Sequence, residues 1–88
     1  MIDHIKTTIK SILTDAKIYV FGEDGEHFEA LVISKEFIGK PLIKQHQLVM
    51  NALKSEFDSN QVHALALKTF TPEKWNTAKS QFNLDLAK

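Results

Sequence analysis

The fold is decided by residues 17–34, which read KIYVFGEDGEHFEALVIS. Two runs in this stretch, Lys17 to Phe21 and His27 to Ser34, are rich in the β-branched and aromatic residues that are typical of strands. The sequence Gly-Glu-Asp-Gly lies between them at positions 22–25 and contains an Asp-Gly pair, which favours a tight turn. The stretch therefore predicts two antiparallel strands joined as a hairpin.

Helices are predicted on both sides of this hairpin. Aliphatic residues recur at helical spacing near the N-terminus and predict an amphipathic helix over about residues 2–15. After the hairpin, Pro41 suits the first position of a second helix, which extends to about residue 57. The apolar positions of the first helix are Ile2, Ile5, Ile9, Ile12 and Leu13, and those assigned to one face of the second are Leu42, His46, Val49, Leu53 and Phe57.

A third strand and a final helix complete the chain. The segment Val62 to Thr69 follows the turn-forming residues Asp58-Ser59-Asn60 and predicts a strand, although its alanines and leucines also suit a helix. Thr71-Pro72-Glu73 then supplies an N-cap, a proline and an acidic residue for the first turn of a final helix. This helix is predicted to carry Trp75 and Phe82.

The order of elements is helix, strand, strand, helix, strand, helix. Eighty-eight residues hold one hydrophobic core, so we expect a single domain over residues 1–88. The fold class that follows is α+β, with a three-stranded mixed sheet and the helices packed on one face.

Composition narrows the classes of function. The eleven basic residues are all lysine, and they balance eleven acidic residues to a net charge of zero. Without arginine or a positive excess, a dedicated nucleic-acid binder is not favoured. Because the chain has no cysteine, a soft-metal site would need histidine or sulfur from elsewhere. No apolar run reaches the length of a membrane span, and we expect a cytoplasmic protein that does not bind membranes.

Two histidines fall at the starts of predicted strands. If the long helix is a right-handed crossover between parallel strands, then His27 and His63 lie at the same end of the sheet, and if the strands are adjacent their backbones are about 4.8 Å apart. Paired imidazoles suit a borderline metal such as iron, zinc or copper, but two ligands do not complete a site. Spacing alone leaves open a solvated His27 and a half-buried, structural His63. We expect His46 to pack within its helix and His4 to be solvated.

Other chemistry has weaker support in the sequence. The serines show no nucleophile motif and the acidic turn residues are expected to be hydrated, so no enzyme is predicted. The Gly-x-x-Gly of the hairpin joins two strands and carries carboxylates, which argues against a phosphate clamp. Lys35, Lys40 and Lys44 cluster around the start of the long helix. They form a weak candidate for nucleic-acid contact, and a solvated lysine face is the alternative.

From residue 26 to residue 75 the sequence resembles the BolA-like family. The residues that carry the resemblance are HFEALVISKEFIGKPL at 27–42, His46, VHALAL at 62–67 and TPEKW at 71–75. His63 in the second of these segments resembles the signature histidine of the family. The short hairpin GEDGEHF at 22–28 is most similar to the IbaG subgroup, because BolA itself has a longer loop.

The resemblance implies a KH-like fold of class II and a function. It implies a heterodimer with a monothiol glutaredoxin, in which a two-iron two-sulfur cluster is shared with glutaredoxin and glutathione, while the isolated chain is a monomer without a cluster. His63 is then the principal metal ligand. His27 is the nearest substitute for a second ligand, which other members carry in the longer loop. The family also implies an alternative, a DNA-binding transcriptional regulator of stress response or cell morphology.

Overall fold

The computed structural model describes residues 2–22, 27–54 and 64–87. The principal elements confirm the predicted order and are α1 (Ile2–Ile12), β1 (Lys17–Phe21), β2 (His27–Ile33), α2 (Leu42–Ala52), β3 (Ala64–Phe70) and α3 (Pro72–Ala78). Short 3₁₀ turns occur at Lys35–Phe37, Lys79–Gln81 and Leu84–Leu86. The predicted turn at 58–60 lies outside the described residues, and so do positions 23–25 of the predicted turn at 22–25.

The three strands form one mixed sheet in the order β1-β2-β3. β1 and β2 are antiparallel, with Lys17 opposite Ile33, as the hairpin prediction requires. β2 and β3 are parallel, with His27 beside Ala64. The chain between these parallel neighbours contains α2, and the predicted parallel pairing of the two strands is confirmed.

The main core lies between one face of the sheet and the helices α1 and α2. Alternation along the strands directs Val20, Phe28, Ala30 and Val32 to this face. The helices contribute residues spaced by four, which places them on a single side of each helix. These are Ile5, Ile9 and Leu13 from the first helical segment, and Val49 and Leu53 from the second.

The final helix corrects the prediction that all helices pack on one face. Trp75 of α3 packs against Leu31 and Ile33, which alternate with the residues of the main core and so lie on the opposite face. β2 is consequently buried on both sides. The uninterrupted apolar run from Ala30 to Ile33 is typical of such a strand, because a strand covered on both faces does not alternate apolar with polar residues.

The helices also differ in detail from the sequence pattern. α1 ends at Ile12, earlier than predicted, and Ile12 is 51% exposed. In α2 the buried positions include Gln45 and Val49, whereas Leu42 is 58% exposed because it occupies the first helical position beyond Pro41. Phe57 lies outside the described residues. No helix in the described ranges is long and apolar enough to cross a membrane.

Candidate functional site

The parallel pair β2–β3 places the starts of two strands side by side. His27 is the first residue of β2, and its Cα is in register with that of Ala64, the first residue of β3. In the sequence, Ala64 is preceded by His63, which lies outside the described residues. The prediction that both strands begin at one end of the sheet is therefore confirmed. The role of His63 as a ligand stays a prediction.

His27 is exposed at this end of the sheet. Strand alternation gives it the same face as Glu29 and Leu31, the face that carries Trp75 further along the strands. Among residues 2–22, 27–54 and 64–87, no three histidine or acidic side chains come together as a metal site. The described residues thus offer an accessible imidazole, but not a complete coordination sphere.

The charged groups nearest along this face form a pair of their own. Lys68 Nζ lies 3.8 Å from Glu29 Oε2, and both side chains are substantially exposed. The same ammonium lies 5.2 Å from the ring centroid of Phe82. Exposed ion pairs of this kind contribute little to the free energy of folding, so the main effect of this pair is on the local electrostatic potential.

The remaining histidines lie elsewhere in the fold. His46 is half-buried in α2, in agreement with the packing role that the sequence predicts. His4 is exposed on α1, also as predicted. Neither belongs to the paired strand starts, and His4, which is exposed like His27, offers a matched control for substitution of His27.

The lysines of the weak nucleic-acid prediction occupy the other end of the sheet. Lys35 begins the 3₁₀ turn that follows β2, Lys40 precedes Pro41, and Lys44 lies in the first turn of α2. All three are exposed. Lys35 and Lys40 line a groove of about 510 Å³ together with Lys74 of α3.

Two polar networks hold this second end in place. Asp15 accepts hydrogen bonds from Ser34 Oγ at 2.7 Å and from the Lys35 backbone N–H at 2.8 Å. The Lys35 N–H, followed by the Ser34 hydroxyl, holds the pKa of Asp15 below its ordinary value. Ser34 Oγ also accepts from the Glu36 N–H at 3.0 Å and so caps the 3₁₀ turn.

The second network centres on Gln45. Its Nε2 donates to the backbone oxygen of Lys40 at 2.9 Å and to that of Phe37 at 3.4 Å. Its Oε1 accepts from Thr69 Oγ1 at 2.6 Å. Sequence periodicity missed Gln45 because a polar residue interrupts the apolar series, although its place four residues before Val49 was a usable signal.

Comparisons with known proteins agree with this fold. Residues 4–74 match the BolA family, described as BolA-like protein. An uncharacterised protein of Haemophilus influenzae is 37% identical over 81 residues, which are 90% of this chain and 94% of the relative. The acid stress protein IbaG of Escherichia coli is 29% identical over 83% of this chain and 86% of its own length, consistent with the resemblance to that subgroup.

A solved structure supports the same assignment. The structure of a BolA protein homologue from Coxiella burnetii matches with a TM-score of 0.73 and 38% sequence identity. The match covers 86% of this chain and 96% of that structure. The predicted α+β architecture is thereby confirmed, while the likeness to KH domains stays a prediction.

Proposed function

The chain belongs to the BolA-like family, and we propose that it acts as a partner of a monothiol glutaredoxin, with which it shares ligation of a bridging two-iron two-sulfur cluster. The observation that carries the proposal is the register of β2 and β3, which pairs His27 with the residue next to His63 in the sequence. We assign the protein a binding role in cluster assembly, trafficking or iron sensing in the cytoplasm, rather than catalysis.

The proposed ligands divide between the two proteins. His63 and His27 supply imidazole nitrogen, and the glutaredoxin with its glutathione supplies sulfur. The absence of cysteine from this chain fits that division. Imidazole in place of thiolate raises the potential of an iron–sulfur centre, so the shared cluster would be more easily reduced than one held by thiolates alone.

The test is reconstitution with a monothiol glutaredoxin, glutathione, iron and sulfide. Native mass spectrometry and visible circular dichroism would compare wild type with H63A, H27A and the control H4A, which removes an exposed histidine from α1. We expect a heterodimer whose spectrum differs from that of the glutaredoxin homodimer. H63A is expected to abolish or alter this spectrum, H27A to alter it less, and H4A to leave it unchanged.

Three results would contradict the proposal. If no heterodimer forms, the partnership is wrong. If H63A retains both the heterodimer and its spectrum, the shared ligation is wrong; a heterodimer without any cluster would instead indicate a metal-free adaptor.

A DNA-binding regulator is the second candidate, favoured by the exposure of Lys35, Lys40 and Lys44 at one end of the sheet. The balanced net charge opposes it, because phosphate neutralisation dominates affinity for DNA. A gel shift that persists at about 150 mM salt, and that is lost in a K35A/K40A/K44A variant, would favour this alternative. Wild-type binding that disappears at this ionic strength would exclude it as the main function.

A further inference from the structure

Three large aliphatic side chains that are close in the sequence after β2 are all exposed. Ile38 is 63% exposed, Leu42 58% and Ile43 65%, all within six consecutive residues. In the described part of the chain, the other large hydrophobic residues with comparable exposure are Ile12 and Leu86, which are far apart in sequence. Scattered exposed aliphatics are ordinary, whereas a concentrated group marks a surface that contacts another molecule.

The loop that carries Ile38 and leads into α2 is held by buried contacts. Phe37 is fully buried and anchors one side of the loop. The amide of Gln45 binds the backbone oxygens of Phe37 and Lys40. Gly39 makes the turn with a φ of 80°, and a Cβ placed on it would meet no other atom within 4 Å. The loop tip therefore projects into open space in a preorganised conformation, which lowers the entropy lost on binding.

The surroundings of the aliphatic group carry a positive excess. Residues 35–44 and the start of α3 contain Lys35, Lys40, Lys44 and Lys74 but only Glu36 and Glu73. Several of these residues line the groove of about 510 Å³ between the loop and α3. The complementary partner surface is one that combines apolar side chains with carboxylates.

The secondary structure and the charge of this surface favour one class of partner over others. A strand partner would need a free strand edge, and residues 35–37 and 42–52 form a 3₁₀ turn and a helix. A nucleic-acid partner would place phosphates against two glutamates and three exposed aliphatic side chains. We propose that residues 35–44, with the start of α3, form a docking site for an amphipathic helix of another protein, whose apolar stripe is flanked by acidic residues.

This docking site is separate from the proposed cluster ligands. His27 is the first residue of the seven-residue strand β2, and the loop follows its last residue, Ile33. A strand of that length spans about 20 Å. The inference therefore goes beyond the proposed function and does not depend on it.

The test uses a designed helical peptide of about 18 residues, with leucines at i, i+3, i+4 and i+7 flanked by glutamates. The ¹⁵N-labelled protein would be titrated with it at about 150 mM salt and followed by NMR. We expect shifts confined to residues 35–44 and 71–74. Affinity should fall about tenfold in I38S/I43S, since two exposed aliphatic contacts are lost. The matched control I12S, altered at an exposed isoleucine on α1, should bind as wild type does.

Charge and partner class are tested by further probes. K40E/K44E should weaken binding more than K54E, which changes an exposed lysine just after the far end of α2. A peptide with lysines in place of glutamates should bind more weakly than the acidic one. Circular dichroism would establish that every variant is folded.

The following outcomes would overturn the inference. One is the absence of any shift at millimolar peptide. Another is equal binding by wild type and I38S/I43S. A third is a stronger response of residues 35–44 to a DNA duplex or to anionic phospholipid vesicles than to the acidic peptide.

Discussion

Replacing Gln45 is expected to be the most informative test of how the loop after β2 is held. Gln45 is 9% exposed and Thr69 7%, and the Thr69 hydroxyl donates to Gln45 Oε1 at 2.6 Å. Q45L preserves most of the side-chain volume but removes this acceptor and the donor to the Lys40 backbone oxygen. The reciprocal variant T69V removes the hydroxyl with little change of shape.

The expected magnitudes follow from the number of groups left without partners. A buried polar group that loses its hydrogen bond costs about 1–3 kcal/mol. Q45L leaves the Thr69 hydroxyl and a loop carbonyl unpaired, so we expect a loss of about 2–3 kcal/mol in the free energy of unfolding. T69V leaves only Gln45 Oε1 unpaired and should lose about 1–2 kcal/mol in the free energy of unfolding. In Q45L/T69V their shared bond is lost once, so the double variant should be about 1 kcal/mol more stable than the two losses added together.

Urea unfolding followed by the fluorescence of Trp75, the single tryptophan, measures all three variants. Trp75 is 5% exposed, so unfolding transfers it to water and changes its emission. Q47L is the matched control, because Gln47 lies on the same helix but is exposed. The reasoning is refuted if Q45L costs no more than Q47L, or if the losses in the double variant add to within about 0.3 kcal/mol.

Three further predictions concern the rest of the fold. In G22A the new Cβ would lie 2.6 Å from Cε1 of Phe28, whose ring is only 4% exposed, so we expect a loss of about 1–3 kcal/mol in urea unfolding; an unchanged midpoint would contradict this. In D15N the Asp15 hydrogen bonds weaken, costing about 1 kcal/mol at neutral pH because the site is exposed. Because the pKa of Asp15 is lowered in the folded state, its contribution to stability is fully present above about pH 3.9 and is lost as the pH falls through the folded-state pKa. The unfolding curves of wild type and D15N should therefore converge in acid. A difference in stability that stays constant with pH would argue against this. W75L removes the ring contacts of Trp75 with Tyr19 and Phe70, whose centroids lie 5.7 and 5.3 Å away. We expect a loss of about 2–4 kcal/mol in the free energy of unfolding, measured by thermal circular dichroism. A loss below about 1 kcal/mol would show that α3 adds little stability to the face of the sheet on which it packs.

The local signals in the sequence were sufficient for the topology. The strand composition on either side of the Asp-Gly pair predicted the antiparallel pairing, and β1 and β2 begin at Lys17 and His27 as expected. The helix that begins after Pro41 provides the length of a crossover, and right-handed crossovers between parallel strands are nearly universal. The common start of β2 and β3 could therefore be predicted from the amino-acid sequence alone.

The less local features could not be derived in the same way. Gln45 is held through Thr69, 24 residues away, and helical periodicity records only apolar positions. Asp15 contacts Ser34 and Lys35 across 19 and 20 residues, so no local motif reveals it. Helical periodicity likewise missed the exposure of Leu42, because it does not show that the first residue of the helix lies beyond the core. The ligand role of His63 stays a prediction from the family resemblance.

The parallel pairing of β2 and β3 also determines how the two candidate surfaces relate. At one end it brings together His27 and the start of β3. At the other end the Ser34 N–H donates to the Phe70 oxygen at 3.1 Å, so the loop after β2 and the start of α3 emerge side by side. Groups separated by the length of a strand are too distant to share contacts, and their substitutions should be additive. H27A is therefore expected to leave binding of the acidic peptide unchanged, and I38S/I43S to leave the spectrum of the reconstituted heterodimer unchanged. Coupling between the two ends would mean that one partner covers both surfaces.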